Sequence, residues 1–157
     1  KVDEGTRFVI YLPVHRVEDA PGTSRRDEKA KDNELWGSGT VLLVEDEPMV
    51  RTVAERALTR HGYTVITANN GQEALDVLAG GAEIALLISD VVMPEMDGPT
   101  MVAEARLSHP DLPILFMSGY AEEQLRKSID IDKVAFLPKP FSVQELAEAA
   151  RKALPSK

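Results

Sequence analysis

The sequence predicts an open parallel α/β sheet over residues 40–157, and two observations carry the prediction. Five short apolar runs alternate with helical patterns along this stretch. The first, third and fourth of those runs are apolar nearly throughout, as strands covered on both faces are. Alternation of this kind folds as a parallel sheet with right-handed crossovers.

The runs are Val41–Val44, Tyr63–Thr67, Ile84–Ser89, Ile114–Met117 and Val134–Leu137, each flanked by turn residues. Between the first two, Val50, Val53, Ala54, Ala57 and Leu58 recur at i, i+3, i+4, i+7 and i+8, one face of a helix. Gly62, after Arg60 and His61, fits its C-terminal stop. Ala74, Leu75 and Leu78 mark a second, short helix closed by Gly80 and Gly81. Met101, Val102 and Ala105 mark a third, and Glu122 to Lys127 carry a weak fourth. The fifth opens with a capping box, Ser142 and Glu145, followed by Leu146, Ala147, Ala150 and Leu154.

Upstream of this unit the composition changes. From Glu18 to Gly39 only Ala20, Ala30, Leu35 and Trp36 are apolar, too few to offset the entropy of ordering, so 18–39 reads as a flexible polar linker. Trp36 is expected to pack loosely or not at all. Gly5 to Pro13 reads as one strand ended by a proline, and one strand is not a domain. With no initiator Met, the chain reads as part of something longer.

Charge narrows the function. Residues 1–39 hold seven basic and eight acidic residues, net −1; residues 40–157 hold eleven and eighteen, net −7. That acidity argues against a nucleic-acid partner, which calls for a basic surface. The chain has no cysteine, which excludes disulfides, thiolate metal sites and a cysteine nucleophile. The longest apolar runs fall far short of the roughly 20 residues that cross a bilayer. No GxxxxGK[ST] phosphate loop is present.

The strand ends carry the chemistry, since such sheets bind ligands at their carboxyl edge. The first strand runs into Glu45-Asp46-Glu47 and the third into Asp90; the fourth ends at Ser118-Gly119 and the fifth at Lys139-Pro140. Carboxylates crowded at one edge repel unless a cation neutralises them. Hard oxygen ligands without His or Cys point to Mg²⁺. Carboxylates, a hydroxyl and an ammonium together suit phosphoryl transfer to a carboxylate.

These residues resemble a family. Val44-Glu45-Asp46-Glu47-Pro48, Asp90 to Pro94 with Met96-Asp97-Gly98, Ser118-Gly119 and Lys139-Pro140 are together similar to the receiver domain of bacterial two-component systems. The resemblance covers about residues 40–155. It implies a flavodoxin-like, doubly wound sheet of order 2-1-3-4-5 with five helices. It implies that Asp90 takes a phosphoryl group from a phosphohistidine. Asp46, Asp90 and the Val92 carbonyl would ligate Mg²⁺, with Glu45 acting through water. Ser118 would bond a phosphoryl oxygen, and Lys139 would pair with Asp90 across a cis bond to Pro140. Ser118 and Phe136 fall at the family's switch positions, and Phe136 has no hydroxyl, so any readout by its ring rests on packing.

Residues 1–17 resemble the end of a histidine-kinase ATP-binding domain, where Gly5-Thr6-Arg7-Phe8 would feed a last strand. Kinase remnant, linker and receiver form the order of a hybrid histidine kinase. That implies a cytoplasmic receiver, monomeric, in a parent that could be anchored in the inner membrane. Its partners would be the kinase's phosphohistidine domain or a histidine phosphotransferase, with phosphate relayed onward or returned. This stretch has no kinase core of its own, neither a phosphoacceptor-histidine helix pair nor a nucleotide loop, and no output domain follows it. His15, His61 and His109 read as surface residues rather than a site. Met93, Met96 and Met101 read as packing around the third helix and its loop. Met49, Met93, Pro140 and Phe141 read as an apolar rim that docks the partner, with Met93 the most exposed of the loop methionines. Three other readings stay open. One is the receiver of a stand-alone response regulator. Another is a pseudo-receiver that binds without phosphorylation, although it would normally lack the Asp or Lys retained here. The last is an aspartyl-phosphate hydrolase, which would want a DxD pair that Asp90-Val91-Val92 lacks.

Overall fold

A computed structural model describes residues 37–119 and 134–154. Five strands, β1 (Thr40–Val44), β2 (Thr64–Ala68), β3 (Leu86–Asp90), β4 (Ile114–Ser118) and β5 (Val134–Pro138), form one sheet of order β2-β1-β3-β4-β5. All four neighbouring pairs are parallel. Four helices belong to the described residues: α1 (Pro48–Arg60), α2 (Gly71–Ala79), α3 (Gly98–Ser108) and α4 (Val143–Ala153). The predicted flavodoxin-like sheet is therefore present in the expected order. The helix predicted at Glu122 to Lys127, the N-terminal strand, the linker and Trp36 lie outside the described residues.

Strand periodicity divides the core in two. Leu42, Val44, Leu87, Ile114 and Phe116 face α2 and α3, where Ala74, Leu78, Met101, Val102 and Ala105 meet them. Val41, Leu43, Leu86, Ile88, Leu115 and Met117 face the other way, against Ala54, Ala57 and Leu58 of α1 and Leu146 and Ala150 of α4. Both faces of the central strands are covered, which is why their sequences are apolar without alternation. The edge strands β2 and β5 keep exposed or half-buried positions.

The helix ends follow their local chemistry. Pro48 opens α1, where a missing N–H costs nothing. Asn70 caps α2 by accepting from Glu73 N, and Asp97 caps α3 by accepting from Thr100 N. The capping box of Ser142 and Glu145 forms as predicted. Two predictions for α1 need correction. Val53 is 57% exposed rather than inward, because it sits on the flank of the apolar stripe beside an open groove. His61 is buried, not on the surface; its Nδ1 lies 2.7 Å from the Ala57 carbonyl at the end of the helix.

The loop after β3 packs closely against the strand it leaves. Gly98 N donates to the Val91 carbonyl at 2.9 Å. A Cβ on Gly98 would overlap the Asp90 carbonyl oxygen and lie 2.9 Å from Phe116 Cε1. Only a residue without a side chain lets α3 start there. Gly98→Ala is expected to destabilise the domain by about 1–3 kcal/mol through overpacking, read from urea unfolding. An unchanged midpoint would contradict this close approach.

Candidate functional site

β1 and β3 run side by side with Val44 opposite Ser89, so Glu45 and Asp90 are the next positions on neighbouring strands. β4 pairs with β3 so that Met117 faces Asp90, which sets Ser118 one step further along the same edge. β5 delivers Lys139 just beyond its last residue, and Lys139 N donates to the Ser118 carbonyl at 2.7 Å. The Lys139–Pro140 bond is cis, as the resemblance implied.

Side chains meet at this edge. Lys139 Nζ donates to Asp90 Oδ2 at 2.7 Å and to Glu45 Oε2 at 2.9 Å. The lysine is 26% exposed, Asp90 15% and Glu45 1%. Glu45, Asp46 and Asp90 each bring a carboxylate oxygen within 4.8 Å of the others. Three ionised carboxylates against one ammonium leave a formal charge of −2 at the edge. A hard divalent cation matches both that charge and the all-oxygen donor set, so these residues fit Mg²⁺.

The protonation balance follows from burial. Burial pushes the Glu45 carboxyl above the usual carboxylate range; the bond from Lys139 opposes this, and the charge of Asp90 adds to it. Burial pulls the Lys139 ammonium down, but its bonds to Asp90 and Glu45 outweigh that and hold it above its ordinary value. The lysine therefore stays charged, and it opposes the burial that raises Glu45.

Most of the predicted residues converge. Ser118 is buried at the end of β4. The Val92 amide faces Asp90 Oδ1 at 3.4 Å, and its side chain is exposed. Phe136 is half-buried on β5, its ring 5.9 Å from that of Phe116. Met49, Pro140 and Phe141 line an open groove of about 570 Å³ that also borders Lys139, and Met49 is 74% exposed. Met93 does not join them. It is 7% exposed and packs in the core with Met101 and Phe116, because the loop after Asp90 turns this side chain under α3. The expectation of an exposed, docking Met93 is corrected accordingly.

One pairing and two supporting residues escaped the sequence reading. Glu45 binds Lys139 directly, across 94 residues. Ser89, fully buried, donates to the Asp90 carbonyl at 2.7 Å. Arg51 donates to the Glu45 carbonyl at 2.5 Å. The signal for Arg51 was present: a cation in the first turn of a helix opposes the dipole and needs a reason.

A parallel five-stranded sheet whose carboxyl edge gathers three carboxylates, a lysine and a serine defines the site of a phosphoryl-accepting signalling domain. The family model for the response regulator receiver domain matches residues 41–151, and the chain belongs to that family. It is 46% identical to the sensor kinase CckA of Brucella abortus over 98% of its own length, which is 17% of that protein. The crystal structure of the receiver domain from the hybrid histidine kinase CckA matches with a TM-score of 0.64 and 43% identity, covering 74% of this chain and all of that one. The response regulator TrrA of Thermotoga maritima, solved in complex with Mg²⁺-BeF, matches with a TM-score of 0.66 and 30% identity over 74% of this chain and 99% of that one.

Removing the ammonium tests this electrostatic balance. In Lys139→Ala the main influence that lowers Glu45 is gone and only the Glu47 amide still opposes burial and Asp90, which raise it. A carboxyl raised in the folded state lends stability below its unfolded value, which is lost as pH rises through the folded one. Lys139→Ala should therefore lose about 1–3 kcal/mol relative to wild type near pH 7 and much less below about pH 4.5. Equal losses at both pH values would contradict the balance.

Proposed function

We propose that this domain accepts a phosphoryl group on Asp90 from a phosphohistidine and passes it on, as the receiver of a hybrid histidine kinase. The observation that carries the reading is the Lys139 ammonium 2.7 Å from the Asp90 carboxylate, inside a cluster of carboxylates at the sheet edge. An Asp90 oxygen forms the new O–P bond as the N–P bond to the donor imidazole breaks; the imidazole keeps the electron pair and takes up a proton. Lys139 then exchanges its carboxylate partner for a phosphoryl oxygen, and the Ser118 hydroxyl bonds another. Asp46, Asp90 and the Val92 carbonyl would hold Mg²⁺, with Glu45 acting through water. When bound, the ion neutralises charge on the phosphoryl oxygens. Readout through Phe136 rests on its packing against Phe116, since the ring carries no hydroxyl.

The relatives support a context. The CckA alignment covers 98% of this chain, so it extends into the residues before 40. That supports reading 1–17 as the end of a kinase ATP-binding domain, 18–39 as a linker and 40–157 as the receiver of one cytoplasmic arm, in a parent that can be anchored in the inner membrane. Among the described residues no helix is long and apolar enough to cross a membrane. The partners are then a phosphohistidine domain of the kinase or a histidine phosphotransferase. Met49, Pro140 and Phe141 supply the apolar rim for its helices, beside the reactive carboxylate.

Intact-mass measurement with Mg²⁺ and acetyl phosphate tests the chemistry. One added phosphate is expected in wild type and in Asp97→Ala, which loses only a helix cap, about 1 kcal/mol. None is expected in Asp90→Ala, and label persisting there would overturn the assignment. The same assay run with a phosphohistidine protein donor addresses docking. Met49→Glu should slow that transfer at least about tenfold, or 1.4 kcal/mol, yet leave acetyl phosphate unaffected. Equal slowing with both donors would mean a disturbed pocket.

A further inference from the structure

We infer that Arg51 is a positioning residue for the metal-binding carboxylate of Asp46, an inference that rests on the reading of the site as a Mg²⁺-dependent phosphoacceptor. The chain leaves β1 at Val44, and the Glu45 amide makes the last bond to the sheet, to the Ala68 carbonyl. The first bond of α1 runs from Arg51 N to the Glu47 carbonyl. The carbonyls of Glu45 and Asp46 fall between, served by neither ladder nor helix, and Pro48 removes the nearest amide that could turn back to them. The Arg51 guanidinium takes both: one of its nitrogens lies 2.5 Å from the Glu45 oxygen and 3.4 Å from that of Asp46.

The two acidic residues depend on this turn unequally. The Glu45 carboxylate is fixed by Lys139 and by the Glu47 amide. The Asp46 carboxylate is exposed and makes no hydrogen bond among the described residues, so no side-chain partner fixes it and its placement depends on the backbone that carries it. Arg51 itself forms no salt bridge among the described residues, and its charge is spent on peptide oxygens. It holds the turn that aims Asp46, while Lys139 and the divalent cation neutralise the cluster.

This role predicts a sign opposite to that of plain electrostatics. Removing a cation beside a cation site strengthens metal binding through space. Removing a positioning residue weakens it. Calorimetric titration of the metal-free protein with MgCl₂ separates the two. Arg51→Met, with a helix propensity close to that of Arg, should weaken Mg²⁺ binding at least about fivefold, and Arg51→Lys should restore most of that, since a single donor nitrogen serves both carbonyls. In an Asp46→Asn background the Met substitution should change affinity less than about twofold, because the group it acts through is already disabled. Binding as tight as wild type or tighter in Arg51→Met would overturn the inference, as would an equal loss in both backgrounds. If Arg51→Met does not fold, Arg51→Lys in the two backgrounds carries the same comparison: a small loss confined to the Asp46 background supports the inference, and an equal change in both overturns it. Failure of the wild-type protein itself to bind Mg²⁺ would instead overturn the reading of the site.

Discussion

One ammonium group holds the functional edge together. Lys139 arrives from just beyond β5 and bonds the carboxylates of Glu45, just past β1, and Asp90, at the end of β3. Without it, Glu45 and Asp90 would be two partly buried like charges on adjacent strands, an arrangement that folded proteins avoid by protonation or by a counter-ion. The lysine supplies half of the answer. It partly offsets the burial that raises the Glu45 carboxyl. It also leaves the cluster two charges short of neutrality, which is the opening for a divalent cation.

The sheet exists in a form that makes this meeting unavoidable. Parallel pairing of β1, β3, β4 and β5 brings four strand ends to one edge in register. Tight local packing then fixes the details. Ser89 and Gly98 crowd the Asp90 carbonyl from two sides, one by a hydrogen bond and one by the absence of a side chain. The backbone of Asp90 is thus held by the core, while its carboxylate faces the charged edge. Rigid support behind a group that must change partners is what phosphoryl transfer needs.

Much of this was legible in the sequence, and the reasons for the exceptions are physical. Central strands announce themselves because both faces are apolar, although β3 runs from Leu86 to Asp90 rather than from Ile84 to Ser89; the mixed edge strand β2 lies one residue further on than predicted. That Glu45, Asp46, Asp90, Ser118 and Lys139 gather at one edge was legible because each lies at or just beyond the end of an apolar run. The pairing of Lys139 with Glu45 was not, since spacing along the chain says nothing about which of two carboxylates an ammonium reaches. Arg51 was missed because its partners are peptide carbonyls, which every residue has. Val53 and Met93 were assigned to the wrong side of the surface. A helical stripe does not show where a groove opens beside it, and a loop methionine's direction depends on the turn that carries it.

The most direct test of the central claim is a crystal structure of the protein treated with Mg²⁺ and beryllofluoride, a mimic of the phosphoryl group. The account predicts beryllium on an Asp90 oxygen, with Lys139 Nζ and Ser118 Oγ each bonded to a fluorine and the metal held by Asp46 and Asp90. An adduct on Asp97 would contradict it. So would an unmodified Asp90 with Lys139 still bridging to Glu45 under saturating reagent.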